Sequence, residues 1–287
     1  MNELMRRSLE GLSVGDAFGE RFFQPAAVLE AALRQREVPV APPWRWTDDT
    51  AMALSVVETL EALGHIDEVD LGLRFGARYR QDPARGYGRG AQEVLHLLAD
   101  GVPWKLASAG LFDGQGSKGN GAAMRAPPLG AFFAKEEFSK VVEQAHRSAA
   151  PTHAHPEGQA GAVAVAVCAV GLARRLPLAL VWTHVLAHTP HGPTRDGLEK
   201  ASRLGFDVPV SRAVETLGSG AKVLSEDTVP FSIWCALRHH DDFEEAMWTT
   251  VSGLGDRDTT CAIVGGLVAL QDAPPEKWVK AREVLPR

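Results

Sequence analysis

Apolar residues recur at three- and four-residue spacing along most of the chain, and alternating apolar–polar runs are nearly absent. After Asp49, residues Met52, Ala53, Val56, Val57, Leu60 and Leu63 form a one-sided stripe, the pattern of an amphipathic helix. Similar stripes follow Pro25 (Val28, Leu29, Ala32, Leu33), Gly90 (Ala91, Val94, Leu95, Leu98) and Asp241 (Phe243, Ala246, Met247, Thr250, Val251). Residues 158–176 are apolar on every side until Arg174 and Arg175, which predicts a helix at the centre of a bundle. The arginines suit a helix C-terminus, and Pro177 ends it. Its most apolar run, 160–173, is shorter than the roughly 20 residues that span a bilayer. Strand-like candidates, around Phe22-Phe23 and at 129–133, are short. The pattern therefore predicts an all-α fold. Glycine-rich stretches at 110–121 and 190–197 lead straight back into helical pattern, so 1–287 reads as a single compact multi-helix domain without repeats.

Composition narrows the function classes. The chain has 287 residues, of which 45% are hydrophobic and 23% charged, a globular balance. A fold of this size buries roughly 75% of its unfolded surface and needs neither disulfide nor metal merely to fold. With 36 acidic against 30 basic side chains the formal charge is −6, so no stable nucleic-acid binding is expected. Cys168, Cys235 and Cys261 are far apart in apolar runs, which reads as reduced core thiols of a cytoplasmic protein. The opening Met1-Asn2-Glu3-Leu4 is polar where a signal peptide would turn apolar, so no leader and no membrane association are expected.

Three acidic segments carry candidate chemistry. Thr47-Asp48-Asp49-Thr50 stands directly ahead of the Met52 stripe. Helix capping explains one oxygen-bearing side chain there, but not four in succession. Gly255-Asp256-Arg257-Asp258-Thr259-Thr260 leads into a second helical pattern with the same excess of hard oxygens, the donors Mg²⁺, Mn²⁺ or Ca²⁺ prefer. It lacks the series and closing Glu of an EF-hand loop. Gly15-Asp16-Ala17-Phe18-Gly19-Glu20 reads as a third acidic turn, after a short helical stretch. Were these turns to meet, pairs of carboxylates about 5 Å apart would each repel by roughly 3 kcal/mol at an effective dielectric of about 20. Four such groups would outweigh a typical folding free energy of about 5–15 kcal/mol. Such a cluster needs divalent cations or raised pKa values, and two metals is the sharper expectation. The residues 42–46, with Trp44 and Trp46, would anchor the first turn by two indoles.

Two further stretches could meet a ligand. Residues 114–119 fit Gly-x-Gly-x-x-Gly, yet no strand precedes them, and Asn120-Gly121 stands where a Walker A loop has Lys-Ser/Thr. The run Gly119-Asn120-Gly121-Ala122-Ala123-Met124-Arg125 reads equally as a tight turn or as a phosphate- or sugar-binding loop. In Thr152-His153-Ala154-His155, zinc is disfavoured because no cysteine lies nearby; a helix cap and a ligand contact both stay open. His184, His188, His239 and His240 read as structural.

In order along the chain, these motifs resemble the ADP-ribosylglycohydrolase family, which includes the dinitrogenase reductase-activating glycohydrolases. The resemblance rests on Gly15-Asp16-Ala17-Phe18-Gly19, Trp46-Thr47-Asp48-Asp49-Thr50, the 119–125 run, Thr152-His153 and Gly255-Asp256-Arg257-Asp258-Thr259. It implies an all-α fold and a two-Mg²⁺ centre (Mn²⁺ being an alternative) that hydrolyses the C1″ linkage of ADP-ribose to a protein, nucleic acid or small molecule. Carried over, the metal ligands are Thr47, Asp48, Asp49, Asp256, Asp258 and Thr259. The substrate contacts are Asp16, Gly119, Asn120, Gly121, Met124 and His153, and Asp48 or Asp49 serves as base. Acceptor choice is expected from loops 83–90 and 190–197.

The chain departs from that pattern twice. Many members place a glutamate seven residues after the first aspartate, where this chain has Phe23; Glu20 is the nearest catalytic substitute. Arg257 takes a place usually held by a small hydroxyl residue, and alternation in the turn predicts that it points outward. A non-catalytic ADP-ribose-binding or crystallin-like member, and a two-metal phosphohydrolase, are the alternative functions.

Overall fold

In the computed structural model, which describes residues 2–286, the apolar segment becomes the helix Pro156–Ala173. Met1 and Arg287 lie outside the described residues. The helix extends the 160–173 run at its N-terminal end, and by length and composition alone it is apolar enough to cross a membrane. Instead 78% of it is buried, packed by the helices Pro127–Phe132, Phe138–Ala149, Leu178–His188 and Ser225–Arg238. Among the described residues there are seventeen α-helical segments and no strand, only isolated bridges between Trp44 and Arg282 and between Gly119 and Leu224. The all-α expectation holds. The strand-like reading of 129–133 does not, because Pro127 and Pro128 start a short buried helix there. Phe22-Phe23 forms a turn in which Phe22 is buried.

A second departure concerns residues 15–20. They are no turn but the last stretch of one continuous helix, Glu3–Glu20. Glycine in a helix interior normally costs about 1 kcal/mol relative to alanine, which is why the local reading breaks the helix early. Here Gly11, Gly15 and Gly19, four residues apart, face the backbone of the helix Arg257–Val268. A Cβ on Gly15 would sit 2.0 Å from the Cys261 carbonyl oxygen, and one on Gly19 would sit 2.2 Å from that of Arg257. Gly265 answers from the other side, where a Cβ would fall 2.3 Å from the Gly11 oxygen. Backbone-to-backbone contact thus brings the end of one helix beside the start of the other.

An aromatic cluster fixes the segment that follows. Phe18 stacks on Trp278 with ring centroids 4.7 Å apart and meets Trp248 edge-on at 5.2 Å. Trp44 joins the cluster against Phe18 and Trp278, as the two-indole anchor expected. Gly15→Ala is expected to force the two glycine-faced helices apart, costing at least the roughly 1–3 kcal/mol of an overpacked core. Calorimetry should then show a melting temperature several degrees lower; an unchanged midpoint would contradict the close contact.

Candidate active site

The turn at 47–50 opens the helix Asp48–Leu63, and all of its amides are accounted for. Asp16, fully buried, accepts the Thr47 N–H at 2.9 Å through Oδ2 and the Thr50 N–H at 3.0 Å. The Thr47 hydroxyl donates to Asp16 Oδ1 at 2.8 Å, and the Thr50 hydroxyl also donates to Asp16. The Asp48 N–H donates to the Arg85 carbonyl at 2.7 Å, and the Asp49 N–H to Thr47 Oγ1 at 3.4 Å. Capping therefore falls to Asp16, Thr47 and Arg85. Asp16, expected among the substrate contacts, spends its carboxyl inside the protein instead.

The Asp48 and Asp49 carboxyls are left over. Among the described residues no other residue donates to the Asp48 side chain, while Asp49 Oδ2 shares the single Thr47 hydroxyl proton with Asp16 and its Oδ1 is buried with no partner. Across the gap, Asp256 caps nothing with its side chain; its Oδ2 accepts from Asn120 Nδ2 at 2.7 Å. Asn120 also donates to Thr228 Oγ1 at 3.0 Å, so its amide orients Asp256 rather than reaching for a ligand. Asp258 accepts the Thr259 N–H at 2.9 Å. Burial raises the carboxyls of Asp16, Asp48, Asp49, Asp256 and Asp258 above their ordinary range. Like charge adds to this: Asp16 beside Asp48, which is pushed up to about 8, Asp258 beside Asp49, and Asp256 beside Asp258.

A cavity of about 610 Å³ opens onto this cluster. Asp48, Asp256, Asp258 and Thr259 wall one end, and the small-residue loop, with Gly119, Asn120, Gly121 and Met124, forms its floor beside His153. The Gly119 N–H donates to Ser117 Oγ and the Asn120 N–H to Val223 O, so at the head of the turn Asn120–Ala122 the amide left for a ligand in the cavity lining is that of Gly121. A Cβ on Gly121 would crowd His153 Cε1 at 3.2 Å, so glycine keeps the imidazole edge open. Burial, with Arg125 nearby, pushes His153 down to about 3, and its Nδ1 pairs with Thr152 Oγ1 at 2.7 Å. His155 is the helix cap, accepting the Glu157 N–H at 3.1 Å, and His153 is the member of the pair that lines the cavity. His184 and His188 stack with Phe138, and His239 pairs with Thr249, as structural residues.

Some expectations shift. Loop 83–90 contributes Gly86, Gly88, Arg89 and Gly90 to the cavity, but residues 190–197 line no part of it; Lys222, Val223 and Leu224 stand there instead. Phe112 and Val223, both exposed on the rim with left-handed backbone, gave no signal in sequence, because single apolar residues in loops are commonplace. Glu20 lies outside the lining; burial, with Asp16 and Asp256 nearby, raises its carboxyl against the pull of Arg21. Arg257 keeps out of the cavity, as expected, with its guanidinium over the Phe23 ring at 4.8 Å.

The donor set fits hard cations: one stranded carboxylate oxygen, unengaged Asp48, and threonine hydroxyls adjoining both turns. Among the described residues, no three acidic, imidazole or thiol groups stand close enough together to hold a metal ion by themselves.

The molecule is thus an all-helical protein with an acid-walled cavity between two helix N-termini and a small-residue loop. Residues 2–285 match the ADP-ribosylglycohydrolase family model, and the chain belongs to that family. It is 29% identical over 274 residues to human (Homo sapiens) ADP-ribosylhydrolase ARH3, covering 83% of this chain and 74% of that one. To the mouse (Mus musculus) protein of the same name it is 31% identical over 279 residues, covering 83% and 73%. A solved structure described as an ADP-ribosylglycohydrolase-related protein complex superposes with a TM-score of 0.71 at 26% identity, over 99% of this chain and 94% of that one. Membership supports hydrolysis of ADP-ribosyl linkages in general.

Two measurements test the site. Asp16→Ala strands the Thr47 and Thr50 donors and should cost about 1–3 kcal/mol for each buried group left unsatisfied, read as a lower urea midpoint with an unchanged slope. A substrate-contacting Asp16 would leave the midpoint in place. Secondly, the clustered carboxyls have folded-state values above an unfolded value of about 3.9. Their contribution to stability is complete below that value and is lost as pH rises through the folded values, about 8 for Asp48. Chelator-treated protein should melt lower at pH 8 than at pH 5, and Mg²⁺ should raise the melting temperature more at the higher pH. Chelated stability that rises across this window would contradict the cluster.

Proposed function

We propose that the protein is a divalent-metal-dependent hydrolase that cleaves the C1″ linkage between ADP-ribose and a modified protein, nucleic acid or small molecule. Two Mg²⁺, or Mn²⁺ in their place, would be held by Thr47, Asp48, Asp49, Asp256, Asp258 and Thr259. One observation carries the reading: the helix at 48–63 is capped without the Asp48 carboxyl, which stands in the lining of a cavity shared with Asp256 and Asp258, while Asp49, buried outside that lining, is close enough to Asp258 to feel its charge. When bound, such cations fix sugar hydroxyls and lower the pKa of a nearby water.

The chain's own residues do the rest. Asp48 or Asp49 accepts one proton of the attacking water as its oxygen bonds to C1″; the bond to the acceptor breaks with its electron pair going to the acceptor, which takes up that proton, so the products are free ADP-ribose and the unmodified acceptor. Neighbouring carboxylates favour the positive charge that builds at the sugar. Glu20 and Asp49 both lie outside the lining; Glu20 is close enough to Asp16 and Asp256 to feel their charge, and Asp49 to Asp258. Neutral His153 offers its ring edge to a hydroxyl without adding charge. The Gly121 amide, with Arg89, Lys118 and Lys222 in the lining, suits a diphosphate. Phe112 and Val223 on the rim suit a flat base.

The test is a panel of ADP-ribosyl linkages to arginine, serine, nucleic-acid bases and small esters, assayed with Mg²⁺ and with EDTA. Release of ADP-ribose from at least one linkage, lost in EDTA and reduced at least about 100-fold in Asp49→Ala and Asp258→Ala, is expected. Full turnover in both variants would overturn the mechanism. Tight ADP-ribose binding without turnover would make the protein a binder, and release of inorganic phosphate would make it a phosphohydrolase.

A further inference from the structure

Arg85 stands where three separate segments meet the acidic turn. Its carbonyl accepts the Asp48 N–H at 2.7 Å, which makes its backbone position part of the geometry of that turn. Its guanidinium lies over the Trp46 indole at 3.5 Å from the ring centre and donates to the Trp46 carbonyl at 2.9 Å. It then reaches residue 283, near the end of the described chain: Nη1 and Nη2 donate to both carboxyl oxygens of Glu283 at 2.6 and 2.9 Å. Asp82 adds a close ion pair at 2.9 Å whose Nε–H is poorly aligned, so it leaves the fork to Glu283 as the directional contact.

Glu283 is itself held in place. Its N–H donates to the Trp44 carbonyl at 2.8 Å, and the Trp44 N–H donates to the Ala281 carbonyl at 2.7 Å, a short parallel bridge. The strap at 281–283 therefore grips residues 44–46 by backbone and the 82–87 loop by one carboxylate. Those are the two segments that approach Asp48 from either side.

One further ion pair joins the same two segments, Arg45 Nη2 to Asp82 Oδ2 at 2.7 Å, but it is half-exposed on the arginine side, where the Arg85 guanidinium is largely buried. A second cavity of about 310 Å³, lined by Trp46, Arg85, Tyr87 and Glu283 among others, adjoins the joint, and there Trp46 Nε1 and the Tyr87 hydroxyl are buried without partners.

We propose that Glu283 is a positioning residue for the acidic turn, acting through the Arg85 guanidinium on the backbone of Asp48. Its consequence for catalysis rests on the proposed function of that turn; its consequence for the Asp48 amide does not. Removing the charge while keeping the shape frees Arg85 to turn toward Asp82, and the Arg85 carbonyl loses its fixed place in front of the Asp48 N–H.

Glu283→Gln in the full chain tests this through three readouts. Hydrogen exchange at the Asp48 amide should quicken about tenfold while amides of the helix Pro156–Ala173 keep their protection. Mn²⁺ titrated alone by calorimetry should bind about 10–100-fold more weakly, the usual effect of removing a group that orients a metal ligand. On whichever linkage is cleaved, kcat should fall while KM stays, and Glu283→Asp should restore part of each loss. Wild-type exchange at Asp48 together with wild-type Mn²⁺ affinity would overturn the proposal. If Glu283→Gln loosens the whole molecule, Arg85→Lys, which keeps the charge but loses the fork, is measured in the same way, and uniform exchange there overturns it too. Should the wild-type protein cleave no linkage, the proposed function fails, yet exchange and Mn²⁺ binding still decide the role of Glu283.

Discussion

Close approach of the helices Glu3–Glu20 and Arg257–Val268 is the constraint on which the site depends. Helix axes normally stand about 8–10 Å apart, held off by side chains. Three glycines on one helix and Gly265 on the other remove those spacers, and backbone meets backbone. Asp16 lies between two of the glycines, and Asp256 and Asp258 lie at the start of the partner helix. Contact along the glycine face therefore sets how near the buried anion that caps the 47–50 turn comes to the acids across the gap.

That nearness is electrostatically unfavourable, and the protein offsets it in an ordered way. One carboxylate, Asp16, is given four donors and becomes structural. A second, Asp256, is steadied by Asn120. Asp48 and Asp49 receive almost nothing, so they must hold protons or bind cations. The distribution of donors, more than the number of acids, separates framework from chemistry. The same logic applies to Arg125, a buried cation that donates only to neutral oxygens of Gly121, Ser148 and Thr152 and is pushed down to about 9 by burial. Its charge adds to burial in lowering His153.

How far this was legible in the sequence depended on range. The stripe after Asp49 and the apolar run at 160–173 are local patterns, and both helices follow them. The excess of oxygens at 47–50 and 256–260 could be seen against the needs of a single cap. What could not be seen was which oxygens the protein would consume, because Asp16 caps a turn 31 residues away. The glycines at 15 and 19 misled for the same reason: read locally they end a helix, and only a partner backbone turns them, with Gly11, into its contact face. Short apolar runs at 129–133 were ambiguous between strand and helix, and Pro127 at the first turn decided for helix.

The two departures from the family pattern are neighbours in space. Phe23 stands where many relatives are expected to carry a glutamate, and Arg257 stands between two aspartates where a small residue is usual; the guanidinium lies over that ring at 4.8 Å. Each substitution alone would be awkward, an exposed aromatic ring in one case and a half-buried cation in the other. Together they cover one another, since the ring face attracts the cation and the cation shields the ring. Arg257 stands beside Asp258 and Asp256, whose fields act on its guanidinium against the effect of burial. The departures are thus better understood as one coupled change at the rim of the cluster than as two independent losses.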